Sequence, residues 1–143
     1  MNYFTYFSCK EFFPSCTDAE IAKCFKDGLF DNLLTLLQVL DCFRDSLGYP
    51  IIITSSYRDR AHNMCVGGSS TSQHMAGSAI DFKCPKVPFD SLVHLFDVFL
   101  QKSALSRYVG QVICYHKKQF IHFALRTPKH PFLQLKHYEQ RDN

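Results

Sequence analysis

The sequence lacks several features that would define a protein class at once. It contains no tryptophan, and no stretch approaches the roughly 20 apolar residues of a membrane-spanning helix. The N-terminal residues show no basic segment followed by an apolar run, which argues against a secretory signal peptide. Repeats, low-complexity tracts and flexible linkers are also missing. We therefore expect a chain that is made in the cytoplasm, has no membrane span and forms one domain over residues 1–143.

The cysteines exclude two further classes. They are odd in number, seven in all, and no two of them form a C-x-x-C pair. That pattern argues against a secreted disulfide framework and against a cysteine zinc knuckle. We expect free thiols that behave mainly as small buried apolar groups, which suits a reducing compartment. The seven are Cys9, Cys16, Cys24, Cys42, Cys65, Cys84 and Cys114.

What remains is the composition of a folded, soluble protein. Apolar residues make up 46% of the chain and charged residues 20%, and 15% are aromatic. The net charge of +3 suits a negatively charged partner but does not by itself indicate nucleic acid. We expect a monomer without a nucleic-acid partner. Binding of nucleic acid through the basic tail KHPFLQLKHYEQR is an alternative that remains open.

Helix signals dominate the first third of the chain. Ser8 with Glu11, and Thr17 with Glu20, have the spacing of capping boxes, which mark helix starts. From residue 29 to residue 47 leucine and phenylalanine recur at helical spacing, and Gly48 ends the run. A further helix is predicted over about residues 90–100.

Strand signals lie around and beyond the middle of the chain. Residues 51–54 and the segment AIDF predict two strands, separated by a long polar, glycine-rich loop over 59–78. GQVICYHKKQFIHFAL predicts a hairpin that turns at Lys117 and Lys118, and the tail from Pro128 is expected to follow the surface. Together these elements predict an α+β fold, with a small, mainly antiparallel sheet that has helices packed on one face.

Two of these strands each carry one candidate metal ligand on the face opposite their bulky apolar residues. In AIDF this residue is Asp81, and in FIHFAL it is His122. If the strands are neighbours, Asp81 and His122 converge, and His74 can reach them from the loop. Two imidazoles and one carboxylate are a common zinc set that leaves one position open. Their summed charge of −1 would leave the centre at +1, which suits a Lewis acid. The alternative is a solvated His74, a turn-capping Asp81 and a structural His122.

Several motifs together resemble one known family. The series ITSSYRDRAHN, VGG, SQHMAGSAIDF and FIHF is similar to the zinc D-Ala-D-Ala carboxypeptidases and endopeptidases, which share their fold with the Hedgehog signalling domain. The small, often phage-encoded members are the most similar. The resemblance implies that His74, Asp81 and His122 bind Zn²⁺ and that Arg58 contacts the substrate carbonyl or carboxylate.

Neighbouring loop residues are assigned supporting roles. We expect His62 and Asn63 to hold the shape of the loop, and Ser72 to hydrogen-bond a metal ligand.

The chain departs from the family pattern at the proton-accepting group. Many members have a carboxylate three residues before the third ligand, where this chain has Gln119, and small members often have one two residues after it, where this chain has Ala124. General-base assistance is worth roughly 10²- to 10⁴-fold in rate. His116 is a candidate base, and Tyr115 is a candidate to orient water or donate to the oxyanion. A catalytically weak or inactive zinc-bearing binding module is the alternative.

The resemblance implies a function at the bacterial cell wall. We expect zinc-dependent hydrolysis of peptide bonds in peptidoglycan peptides, next to D-alanine, by a carboxypeptidase or endopeptidase such as a phage lysis factor. A peptidoglycan peptide is then the substrate.

Overall fold

The computed structural model describes residues 4–138, which form helices around one mixed sheet. The helices confirm the two main helical predictions within a few residues: the long run ends at Gly48, which has the left-handed φ of 82° of a helix C-cap. The helices are α1 (Cys9–Phe12), α2 (Asp18–Lys26), α3 (Phe30–Leu47), α4 (Arg60–Cys65) and α5 (Phe89–Lys102).

The sheet has five strands in the order β1-β2-β4-β3-β5. Every pairing is antiparallel except that of β3 with β5, which is parallel. The α+β prediction with a mainly antiparallel sheet is therefore confirmed. The strands are β1 (Ile52–Ser55), β2 (Ala79–Lys83), β3 (Val109–Tyr115), β4 (Phe120–Leu125) and β5 (Gln134–Tyr138).

The core lies between one face of the sheet and helices α3 and α5. The buried leucines of α3 recur at helical spacing, as the periodicity predicts. Phe43 of α3 packs against Phe82 of β2 and Phe96 of α5, with ring centroids 6.2 and 4.8 Å apart. Phe123 of β4 contacts both Phe82 and Phe96 at 5.7 and 5.5 Å. Because this face is apolar and buried, the alternate residues of β2 and β4 face away from α3 and α5.

Two segments have more structure than the sequence predicts. The long loop contains α4 and a 3₁₀ turn at Gln73–Ala76. The tail does not merely follow the surface, because β5 adds a parallel strand to the sheet edge beside β3. All five side chains of β5 are exposed, so the strand has no apolar alternation that would reveal it.

The thiols are free, as predicted, but they are not all buried. Cys9, Cys42 and Cys65 are exposed, so the expectation of small buried apolar groups is wrong for them. In residues 4–138, no helix combines the length and apolar character needed to cross a membrane.

Candidate metal centre

The three predicted ligands meet on the sheet face opposite α3 and α5. Asp81 of β2 and His122 of β4 are direct partners in the antiparallel register. Directly opposed residues have Cβ atoms about 5 Å apart, so their side chains touch. His122 Nδ1 lies 2.7 Å from Asp81 Oδ1, and His74 Nε2 lies 3.2 Å from the same oxygen. The predicted convergence of His74, Asp81 and His122 is therefore observed.

His74 reaches the strands because the 3₁₀ turn ends at Gly77. This glycine has a φ of 65°, and an added Cβ would lie 2.9 Å from the carbonyl oxygen of Leu29. Both the left-handed backbone and the close approach to Leu29 require glycine. The imidazole is then almost fully buried, with 2% of the residue exposed.

In each imidazole, the outer nitrogen, which is the one farther from Asp81, donates a hydrogen bond to an oxygen acceptor. His74 Nδ1 donates to the carbonyl oxygen of Ser56 at 2.6 Å, and His122 Nε2 donates to Gln73 Oε1 at 3.0 Å. In a neutral imidazole the remaining nitrogen then carries a lone pair. Both lone pairs, on His74 Nε2 and His122 Nδ1, face Asp81 Oδ1. Three acceptors that face one another fit a bound cation, and the outer hydrogen bonds are those expected of metal-binding histidines.

Asp81 is the carboxylate of this set. Burial by itself would raise its pKa, but the charge and the hydrogen bonds of His74 and His122, in their protonated forms, outweigh burial and hold the pKa of Asp81 below its usual range. When the imidazoles are neutral, a bound cation would take the place of that positive charge. A carboxylate and two imidazoles are a donor set that suits Zn²⁺. The residues present therefore fit the predicted metal.

Arg58 lines the same cleft, which has a volume of about 920 Å³. Its backbone N–H donates to the His74 carbonyl oxygen at 3.0 Å, which ties it to the 3₁₀ turn. Its Nη2 donates to Ser72 Oγ at 3.2 Å. Among the described residues, its buried Nε has no hydrogen-bond partner. Burial lowers the pKa of Arg58, although the charge of Asp81 opposes this shift. A guanidinium with spare donors can bind a carboxylate or a carbonyl oxygen.

Tyr115 and His116 lie on opposite faces of the hairpin. Tyr115 lines the cleft, where its ring stacks on Phe120 at a centroid distance of 4.5 Å. His116 is the first residue of the turn and lies on the other face, against the ring of Phe89 at 5.1 Å. It is also hydrogen-bonded to His137. The structure does not bring His116 to the metal ligands, because the strand alternation that directs Tyr115 into the cleft directs the next residue away.

Gln119 and Ala124, the two positions where the family resemblance suggests a carboxylate, do not supply a base. Gln119 has a φ of 58° in the hairpin turn and lines the groove beside His116, not the cleft. Ala124 is fully buried between Ala79 and its partner on β3. Within residues 4–138, Asp81 is the only carboxylate that lines the cleft.

The loop residues support the site largely as expected. Asn63 Nδ2 donates to the Ser69 carbonyl oxygen at 2.8 Å and so holds the loop closed. Ser72 Oγ accepts the backbone N–H of His74 at 3.2 Å, so it bonds the main chain of a ligand rather than its imidazole.

Two features of the cleft escape sequence reasoning. One is the hydrogen bond of Gln73 to His122, which spans 49 residues and leaves no mark in the spacing. The other is the turn over residues 127–130, which lines the cleft through Lys129 and His130. The backbone N–H of His130 donates to Thr127, which holds this turn closed. The tail composition carries no signal for that position.

Comparison with known proteins identifies the family of the chain. The comparison with curated proteins finds no match. The model of the peptidase M15 family matches residues 5–124. That range includes Arg58, His74, Asp81 and His122, whereas the turn over 127–130 lies beyond it. With most of its length matched, and with the converging side chains inside the match, the chain belongs to the peptidase M15 family.

Proposed function

We propose that this chain hydrolyses peptide bonds next to D-alanine in bacterial peptidoglycan peptides, with zinc held by His74, Asp81 and His122. The observation that carries the proposal is the arrangement of those side chains, in which one nitrogen of each imidazole lies within 3.2 Å of the same Asp81 oxygen. When bound, zinc supplies a Lewis acid that polarises a peptide carbonyl and lowers the pKa of water. Membership of the M15 family supports peptidase chemistry.

The cleft also contains a group for the negative end of a peptide. Arg58 lines the cleft, and Ser72 holds its guanidinium through Nη2. A peptide carboxylate or a developing oxyanion would complete its hydrogen bonds. Tyr115 and Phe120, whose rings stack on each other, also line the cleft and can pack on the substrate.

His130 is the residue we propose for proton transfer. Lys118, Lys129 and Arg58 also line the cleft, but their charged forms donate hydrogen bonds and cannot accept a proton. Asp81 is committed to the two imidazoles. His130 is the remaining imidazole, and histidine accepts protons near neutral pH. It would stand in for the carboxylate that relatives place near the third ligand.

The test is incubation of the purified protein with peptidoglycan fragments, with and without a chelator, followed by mass spectrometry of the products. We expect cleavage beside D-alanine that the chelator abolishes and added zinc restores. His74→Ala should be inactive, and the exposed His94→Ala serves as the matched control. Cleavage of a terminal residue identifies a carboxypeptidase, and cleavage of a cross-link identifies an endopeptidase.

Replacement of His130 tests the proton-transfer role. His130→Asn should lower kcat by about 10²-fold or more, while zinc content stays the same. His116→Asn, on the other hairpin face, is the matched control and should leave both unchanged. A wild-type chain that holds zinc but never cleaves wall peptides would show a binding module instead of an enzyme.

A further inference from the structure

One predicted helix cap does not form as the sequence suggests. Thr17 Oγ1 accepts the backbone N–H of Glu20 at 3.1 Å, as in a capping box. The carboxylate of Glu20 does not return to Thr17, however. Glu20 Oε2 instead accepts the backbone N–H of Asp59 at 2.8 Å and lies 2.8 Å from His62 Nδ1. Only 3% of Glu20 is exposed, so a buried carboxylate has been directed away from its own helix.

A thiol completes this group. Cys16 precedes α2, is half-buried and lies with its Sγ 3.3 Å from the carbonyl oxygen of Tyr57. One ligand atom from each of Cys16, Glu20 and His62 can be chosen so that all lie within 4.8 Å of one another. Burial, together with the charge of Glu20, raises the pKa of Cys16 to about 12, so without a cation the thiol stays protonated.

We propose that Cys16, Glu20 and His62 form a second metal site, which binds zinc and has a structural role. Sulfur, imidazole nitrogen and carboxylate oxygen are the three donor types that zinc accepts, at about 2.0–2.3 Å from the metal. Donors that bind one zinc ion lie closer to one another than 4.8 Å, the spacing within which the three ligand atoms lie here. Small inward shifts of the side chains would therefore suffice. The carbonyl oxygen of Tyr57 or a water takes the fourth position. Binding releases the thiol proton of Cys16 to solvent.

Charge distinguishes this site from the cleft. A thiolate, a carboxylate and a neutral imidazole sum to −2, which cancels the charge of Zn²⁺. A neutral centre is the less costly one to bury, because unpaired buried charge is strongly unfavourable. The cleft set sums to −1 and keeps a net positive charge for catalysis. The two sites therefore suit different tasks, one structural and one catalytic.

The second site would connect two segments that are distant in sequence. It joins the start of α2 to the first turn of α4, directly after Arg58. The metal would thereby fasten the segment that carries Arg58 into the cleft. The alternative needs no metal: His62 forms an ion pair with Glu20, and the Cys16 thiol donates a hydrogen bond to the carbonyl oxygen of Tyr57.

Cobalt distinguishes these possibilities, because only a thiolate ligand gives an intense near-ultraviolet charge-transfer band with Co²⁺. The cleft ligands contain no sulfur. The metal-free wild-type chain is titrated with Co²⁺ and, separately, with Zn²⁺ under metal analysis. We expect two bound ions per chain and the thiolate band. Cys16→Ser should lose one ion and the band, while Cys42→Ser, an exposed thiol on α3, should lose neither.

His74→Ala provides the opposite control. It should lose the cleft ion but keep the thiolate band, so failure of the cleft proposal and failure of this one are distinguishable. A wild-type chain that binds a single ion without a thiolate band would overturn the second site. So would a band that persists in Cys16→Ser. The wild-type titration decides the question even if Cys16→Ser fails to fold.

Discussion

Replacement of Gln73 tests how the hydrogen bond to His122 affects zinc binding in the cleft. Its Oε1 accepts the Nε2–H of His122 at 3.0 Å, which leaves the lone pair on Nδ1 facing Asp81. Without that acceptor, His122 can move its proton to Nδ1 and donate to Asp81 across 2.7 Å. That hydrogen bond would occupy two ligand atoms, and a metal must break it to bind. Gln73→Leu should therefore weaken zinc binding.

The energies of comparable hydrogen bonds give the expected loss of zinc affinity. A hydrogen bond of this kind contributes about 1 kcal/mol, and one to a charged group such as Asp81 contributes about 1.5–3 kcal/mol. Loss of outer partners of metal-binding histidines weakens binding about 10- to 100-fold, which corresponds to about 1.4–2.7 kcal/mol. We expect a change in that range for Gln73→Leu.

Competition with a chelator at one fixed neutral pH measures the effect. The measurement uses a Cys16→Ser background, so that only the cleft contributes. Gln73→Glu keeps an oxygen acceptor and should retain wild-type affinity or exceed it. Gln101→Leu, on the exposed face of α5, is the control for an unrelated glutamine. An affinity for Gln73→Leu within twofold of wild type would refute the tautomer argument, and equal losses in both Gln73 variants would assign the effect to packing.

Two further predictions concern stability. Gly110→Ala should lower the free energy of unfolding in urea by about 1–3 kcal/mol, because its Cβ would lie 2.6 Å from the carbonyl oxygen of His130 and 2.7 Å from the Cα of Arg126. An unchanged urea midpoint would show that the turn over 127–130 can move away from the added methyl group without a loss of stability. Tyr57 is buried, and burial raises its pKa to about 12, above the ordinary value of about 10. The folded state thus favours the protonated phenol. The contribution of the buried phenol to the free energy of unfolding is complete below about pH 10 and is lost as the pH rises towards 12. The free energy of unfolding should therefore fall in that window, and it should fall less in Tyr57→Phe.

The ligand set is predictable because its main determinants are local. Period-two alternation assigns Asp81 and His122 to one face of their strands, and that assignment needs no knowledge of distant residues. Only the neighbour relation of the strands has to be assumed, and the register confirms it. His74 follows from its short connection to Asp81, which limits how far the imidazole can lie from the carboxylate.

The features that escaped prediction depend on long-range contacts. His116 is a candidate base because a neutral imidazole suits that task, but it follows Tyr115 directly and lies on the opposite face of the hairpin, against Phe89. Glu20 has a local use as a cap, yet a partner 39 residues away takes its carboxylate. Strand β5 is held by backbone pairing to β3, and its exposed side chains do not alternate. In each case the deciding partner is remote in sequence.

The facing pair of Asp81 and His122 also links assembly of the sheet to the chemistry of the cleft. Side chains of a strand alternate between its faces, so a slip of β4 by one residue would turn His122 into the apolar interior and bring Phe123 out beside Asp81. A misaligned hairpin would thus lose a ligand, bury an imidazole and expose a large ring in one step. A metal held by both Asp81 and His122 would therefore stabilise only the native alignment of β4 with β2.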